Sequence, residues 1–498
     1  MSLVSEPHRQ ITNSGLYLAS TLFSYAIPFL VLPIFTRILS PEDFGILALS
    51  GMFAAFLTTL SNFGLLTIYQ RDFFQYEKNP AHSAALLYTI LSFVMVIFML
   101  VWALAYFWRE ALSFLIFRRS GLGLVLLTDA MAVFFSTLTQ YFLLYFQNSQ
   151  WASRYVRFSL ASLLGGNILA VGFLVILKSG FMGMIYAKLL TDGVIFLLLS
   201  VGFLRTLPFR WNLLILKKSL TLGFPLTPNA FFKVFMRHFD KYLINLLNST
   251  GQTGIYNIGE KFAYMGFALM TSLDQVYIPH VLKKMFALKE NGGEAIGIYL
   301  TPFFYLSMLF CFLVGVFAQE MMEVLTPPSF HAAADIVLVL SIYYALLFFG
   351  KQQQLVFAGK TAALSVLFLL SMAVNVALNI CFIPRWAALG AAWAACLSGF
   401  FMTALYLFLS QRAYPIHWEY RKIIVIFVAF LYSLLAVLFL KSRVPYLFLL
   451  VIKLCLLGIF IFIGVRCGVA SRKNLNLLKD VFCRRLGRSG PLSPEAAK

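Results

Sequence analysis

The sequence predicts an all-α polytopic membrane protein, and three observations carry that prediction. The chain of 498 residues is 61% hydrophobic and only 12% charged, too little polar surface for a soluble domain of this size. Its mean hydropathy is +0.86, and apolar runs of about 20 residues, the length that spans a hydrocarbon core, recur from end to end. Lys and Arg gather in alternate connecting segments, as the positive-inside rule requires. A β-barrel would show short alternating segments instead of long apolar runs.

About 14 transmembrane helices are expected. The first six cover 15–36, 44–69, 83–107, 121–146, 158–177 and 181–204, and the next six cover 222–246, 254–278, 296–318, 333–357, 362–383 and 387–410. Two more, 423–440 and 446–465, precede a basic tail. With a cytoplasmic N-terminus, 24 of the 39 Lys and Arg fall in inside segments and 8 in outside loops. That asymmetry predicts both termini inside and an even helix number. The N-terminal MSLVSEPHRQ is a polar tail, and the apolar run after it is too long for a signal h-region, so an uncleaved first helix is expected. The net charge of +20 points first to positive cytoplasmic loops, not to nucleic acid. The six cysteines show no CxxC or metal-ligand spacing, so free thiols and no metal are expected.

An internal repeat is visible. Ser40, Gly45, Ile46, Phe53 and Ala54 meet Ser249, Gly254, Ile255, Phe262 and Ala263 at an offset of 209. Gly183-Met-Ile-Tyr-Ala187 meets Gly390-Ala-Ala-Trp-Ala394 at 207. Two matches at nearly one offset predict two six-helix lobes of the same topology. The expected organisation is an N-terminal lobe over 1–210, a C-terminal lobe over 211–415, helices 13 and 14 over 416–466, and a basic cytoplasmic tail over 467–498. The basic linker 205–221 is expected to lie along the cytoplasmic surface. Pro28 and Pro33 in helix 1, and Pro225 and Pro228 in its repeat partner, mark either movable points or static kinks and helix starts.

The seventh segment is the unusual one. Gly223 to Ile244 reads as a span, yet it carries Lys233, Arg237, His238, Asp240 and Lys241. At about 100° per residue, Lys233, Arg237, Asp240 and Lys241 share one side. A charge at bilayer depth costs about 2.5–3.5 kcal/mol, so such a side faces a bundle interior or a watery cavity. The excess of cations predicts a central cationic cavity that attracts an anion. Arg grips a diphosphate with a paired fork and Lys acts as a mobile point charge. Candidate substrate-binding residues are Lys233, Arg237, Lys241, Lys261 and Lys351, the last in a polar cluster with Gln352, Gln353 and Gln354. Asp240, Asp274 and Asp129 are candidates for a coupling ion, with structural pairing the alternative reading of each. Lys188 and Asp192, four apart, are expected to neutralise each other, and Lys453 is expected to be peripheral.

Enzyme motifs fail. Gly359-Lys360-Thr361 lacks the P-loop glycine, since Gln354 stands five positions before Gly359. No HExxH, GxSxG or DxD occurs, so neither catalysis nor a cofactor is expected.

The run PIFTRILSPEDFGILAL from Pro33 to Leu49, and FDKYLINLLNSTGQTGIYNIGEKFA from Phe239 to Ala263, resemble segments of the Wzx-type polysaccharide biosynthesis flippases. These belong to the multidrug/oligosaccharidyl-lipid/polysaccharide exporter superfamily. The resemblance extends over about residues 10 to 465. It implies a flippase that moves an undecaprenyl-diphosphate-linked sugar unit from the cytoplasmic to the periplasmic leaflet of the bacterial inner membrane, for O-antigen, capsule or exopolysaccharide assembly. It implies H+ or Na+ as coupling ion, membrane lipid around the chain, and the polysaccharide polymerase and chain-length machinery as candidate partners. Peptidoglycan-precursor flippases carry arginines in helix 1, where this chain has only Arg37 at the outer end. The alternatives are an ion-coupled multidrug antiporter of the same superfamily, which would favour an acidic lumen, and a membrane polymerase or ligase, which needs larger outer loops than these.

Overall fold

Helix boundaries in this chain are written by local chemistry, most clearly at the second helix. Ser40 is its N-cap: the Asp43 amide donates to the Ser40 hydroxyl at 3.2 Å, and the Ser40 amide donates to the Asp43 carboxylate at 2.8 Å. This reciprocal capping box, with Pro41 at the first helical position, starts the helix where the Ser-Pro-Glu-Asp motif stands. Asn79 and Asn212 cap two later helices one-sidedly, each side-chain oxygen accepting from two backbone amides of the first turn.

The computed structural model describes residues 6–76, 79–288, 292–350 and 353–469. Among these, all regular structure is helical. The helices are α1 Glu6–Ile38, α2 Pro41–Asn62, α3 Leu65–Tyr76, α4 Pro80–Phe107, α5 Arg109–Phe117 and α6 Gly123–Asn148. They continue with α7 Ala152–Val175, α8 Gly180–Thr206, α9 Leu213–Gly223, α10 Thr227–Leu247, α11 Thr250–Leu288 and α12 Gly293–Val316. The remainder are α13 Ala318–Leu325, α14 Ala333–Gly350, α15 Gln354–Phe357, α16 Thr361–Ala413, α17 Tyr420–Leu440 and α18 Tyr446–Arg466. Ala387, with φ 48° and ψ −130°, breaks α16 into two helical stretches. Ten spans among the described residues are long and apolar enough to cross a membrane. The charged α10 is not one of them.

Two compact units divide the described chain, one ending at Leu246 and one running from Leu247. In the first, α4 and α6 contribute most of a core that includes Phe98 and Phe134 stacked at 3.6 Å. The segment between α8 and α10 is the amphipathic α9, which buries Ile215, Leu216 and Ser219 and exposes Lys217, Lys218 and Leu214. The Lys218 ammonium donates to the Gln75 amide oxygen at 3.1 Å, and the Asn212 amide donates to the Thr89 hydroxyl at 3.0 Å. These bonds hold α9 along α3 and α4.

In the second unit, α12 and α14 are deeply buried, and α18 stacks Phe460 on Phe312 and Tyr305 of α12, with ring centroids 4.7 and 5.5 Å apart.

Candidate substrate and coupling site

The start of α10 is set by a close backbone approach. Phe63 and Gly64 end α2 in the left-handed region, with φ 49° and 69°. A Cβ on Gly64 would lie 2.6 Å from the Gly223 carbonyl oxygen, and one on Gly223 would lie 2.7 Å from the Phe63 carbonyl oxygen. Only paired glycines let these turns touch. Pro225 and Pro228 then occupy the entry turn, where the missing amide hydrogens cost nothing.

From there α10 carries two stripes. Phe231, Phe235, Phe239 and Tyr242 fall within roughly 80° of one another around the helix axis. This stripe seats α10 on α2: Phe56 lies 5.0 Å from Phe231 and 6.4 Å from Phe235, centroid to centroid. Phe235 stacks on Phe239 at 4.2 Å, and Tyr242 packs on the cluster around Ile46, Leu49 and Ile116. Lys233, Arg237, Asp240 and Lys241 span roughly 100° centred about half a turn away, so they point away from α2. Lys233 and Arg237 are exposed, and among the described residues neither forms an ion pair. Asp240 is half-buried, and Lys241 is buried at 7% exposure. The C-terminal turn is pinned by Asn245, whose amide donates to the Ile116 carbonyl at 2.7 Å.

Asp129 of α6 is 6% exposed and belongs to a polar cluster within the first unit. The Ser50 hydroxyl of α2 donates to its Oδ2 at 2.7 Å, and Lys188 Nζ of α8 lies 4.0 Å from its Oδ1. The buried Asp192 accepts from the Ser162 hydroxyl at 2.6 Å and stays within electrostatic reach of Lys188. Lys188 is therefore shared between two carboxylates on different helices, where helical spacing alone pairs it with Asp192. One ammonium against two buried carboxylates leaves a local negative excess that a proton or small cation can neutralise.

The remaining candidates lie in the second unit. Lys261 is exposed on α11, and Asp274 is buried and accepts from the Tyr277 hydroxyl at 2.8 Å. Lys351 lies outside the described residues.

Two features escaped the sequence. Lys453 is not peripheral: it is 0% exposed and donates to both carboxylate oxygens of Glu320, at 2.7 and 2.9 Å. The aromatic stripe of α10 was legible in its i, i+4, i+8 spacing, since the period that groups the cations groups the aromatics too.

The description "Polysaccharide biosynthesis protein" matches residues 11–285 of the chain. Among solved structures, the fold is similar to "Lipid II flippase MurJ, inward closed conformation", with TM-score 0.67 and 15% identity over 91% of this chain and 99% of that one. It is also similar to an inward-facing multidrug resistance MATE family transporter of the MOP superfamily, with TM-score 0.60 and 12% identity over 80% and 97%. Among curated protein sequences none matches the chain. These two solved structures are described as a flippase and a transporter.

Proposed function

The chain belongs to the polysaccharide biosynthesis protein family, and from that premise we propose that it flips a lipid-linked oligosaccharide, an undecaprenyl-diphosphate-linked repeat unit, across the bacterial inner membrane. One observation carries this reading above all: α10 turns two exposed cations, Lys233 and Arg237, away from the aromatic stripe that anchors it. Cations held at bilayer depth cost about 2.5–3.5 kcal/mol each, unless water or an anion meets them. A diphosphate suits them, because Arg binds it with paired charge-assisted bonds while the lipid tail stays in the bilayer. Lys241, Lys261 and Lys351 are assigned to the same substrate path, with O-antigen, capsule or exopolysaccharide assembly as its destination and both termini cytoplasmic.

For the coupling ion we assign H+ or Na+ to Asp129, supported by the excess of carboxylate around Lys188. Asp240 and Asp274 are the secondary candidates.

The test is the double replacement Lys233→Ala and Arg237→Ala in the native host. We expect polysaccharide export to stop while the protein inserts at wild-type level. Export that persists in that variant removes α10 as the substrate site. Drug resistance conferred by the wild-type chain would instead favour the multidrug antiporter reading.

A further inference from the structure

One end of the first unit collects positive charge that no acid answers. α7 and α8 are joined by a short turn and run antiparallel, so the first turn of α7 lies level with the last turn of α8. The Phe146 ring ties that level together, 6.1 Å from Trp151 just before α7 and 5.3 Å from Phe203 near the end of α8. Arg154, Arg157 and Arg205 are exposed there, and Arg210, Lys217 and Lys218 are exposed in the segment that follows. Among the described residues none of these six forms an ion pair. Between Ala130 and Phe239 the sole acidic residue is Asp192, and it is buried against the Ser162 hydroxyl.

The same end turns apolar side chains outward. Phe209, Trp211, Leu213 and Leu214 are all exposed, Leu214 by 77%. On α9, Leu213, Leu214, Lys217 and Lys218 fall within roughly 140° of arc, and the buried Ile215, Leu216, Ser219 and Gly223 occupy the opposite side. A helix of this kind suits a membrane interface, where apolar groups reach the acyl chains and long cationic side chains rise to the headgroups. The segment is held in place by the protein itself. The Tyr88 hydroxyl donates to the Leu207 carbonyl at 3.0 Å, Phe209 packs on the Tyr88 ring at 5.3 Å, and Asn212 and Lys218 are bonded to Thr89 and Gln75. Its outward groups are therefore ordered in advance, which lowers the entropy lost on binding.

What covers this surface follows from its continuity with α8. Leu190, Val194, Leu197, Val201 and Leu204 are exposed at i, i+4, i+7, i+11 and i+14, one face of a helix long and apolar enough to cross a membrane. Hydrocarbon covers that face, and the chain leaves its end directly into Arg205, Phe209, Arg210 and Trp211. The layer next to hydrocarbon is the headgroup layer, and a surface of unpaired cations there is complementary to negative headgroups. A soluble acidic partner would have to displace lipid from Leu213, Leu214 and Trp211 to reach the same charges.

We propose that this end of the first unit is a docking surface for anionic phospholipid, with its phosphates on the arginines and lysines and its acyl chains over Trp211, Leu213 and Leu214. Each Lys or Arg near an anionic membrane surface contributes about a fivefold gain in association. α9 leads through Gly223 into α10, so the bound lipid also holds the segment that feeds α10.

The experiment follows thermal unfolding of the full chain in detergent while phosphatidylglycerol, phosphatidylcholine and glycerol 3-phosphate are titrated separately. We expect phosphatidylglycerol to raise the unfolding temperature at concentrations about tenfold or more below those at which phosphatidylcholine acts. That advantage should shrink in about 1 M salt, where the screening length falls to about 3 Å. Arg205→Gln, Arg210→Gln and Lys217→Gln together should remove it, whereas Arg205→Lys with Arg210→Lys should keep it. Trp211→Ser with Leu214→Ser should weaken the response to both lipids alike. Lys233→Ala with Arg237→Ala should leave the preference intact, which separates this surface from the cations of α10. Equal potency of the two lipids, a preference that survives the triple variant, or one lost with the α10 cations overturns the proposal. An equal response to glycerol 3-phosphate would mark a site for free anions and overturn it as well. The readout is lipid binding, so its outcome is independent of whether the chain exports polysaccharide.

Discussion

The pair between Lys453 and Glu320 predicts an asymmetric cost of mutation. Lys453 is wholly buried, whereas the Glu320 side chain keeps 17% of its surface. Removing one partner of a buried ion pair costs about 3–5 kcal/mol, because a charge stays in low dielectric uncompensated. Glu320→Gln leaves the fully buried ammonium with a neutral amide, so its cost belongs at the upper end of that range. Lys453→Met leaves a carboxylate that still touches solvent, and its cost should fall at or below the lower end. Combining Glu320→Gln with Lys453→Met removes both charges while filling similar volume, which is often close to neutral. The double variant should therefore recover most of the loss, giving a coupling energy of about 2 kcal/mol or more in the cycle. Thermal unfolding in detergent reads this directly. At about 2–4 °C per kcal/mol for a domain the size of the second unit, Glu320→Gln at about 4–5 kcal/mol should lose roughly 8–20 °C. Equal small losses in both single variants, or additive losses in the double variant, would refute the reasoning.

Two further outcomes follow from the first unit. Gly223→Ala places a methyl group 2.7 Å from the Phe63 carbonyl oxygen and should cost about 1–3 kcal/mol through backbone displacement. Gly166→Ala in α7, with nothing within 4 Å of the added carbon, should be neutral or stabilising by up to about 1 kcal/mol, and thermal unfolding of both variants checks the contrast. Asp129→Asn keeps an acceptor for Ser50 but removes the charge facing Lys188. Transport measured at several external pH values or sodium concentrations should then lose its dependence on the coupling ion. Ser50→Ala should retain that dependence at a reduced rate.

Much of the architecture was legible because it rests on local rules. Ser40 and Asp43 cap α2 across three residues, and the prolines at 225 and 228 mark the entry to α10 within one turn. The cationic stripe of α10 is a matter of helical period alone. What stayed hidden was pairing between residues far apart in the chain. Glu320 and Lys453 stand 133 positions apart, and nothing near Lys453 signals its partner, so an isolated lysine in an apolar helix reads as peripheral. Local spacing also points Lys188 at Asp192, yet Asp129 arrives from another helix and Ser162 already holds Asp192. A four-residue rule registers neighbours on one helix and is blind to neighbours across a bundle.

The two stripes of α10 explain each other. A helix carrying Lys233, Arg237 and Lys241 cannot rely on apolar character to hold its place, since each exposed cation alone costs about 2.5–3.5 kcal/mol at bilayer depth. The aromatic stripe supplies part of the opposing contribution, since full burial of a phenylalanine contributes about 1.5–3 kcal/mol and Phe235 and Phe239 are half-buried while Phe231 stays 39% exposed. Phe231, Phe235 and Phe239 share that face, with Tyr242 on the cluster below them. Gly223 fixes one end by backbone contact and Asn245 fixes the other by a hydrogen bond to Ile116. A helix secured along one face and at both ends has no need to bury its opposite face. The exposure of Lys233 and Arg237 is then a condition the packing maintains, and it leaves two unpaired cations, one helical turn apart, available to an anionic substrate.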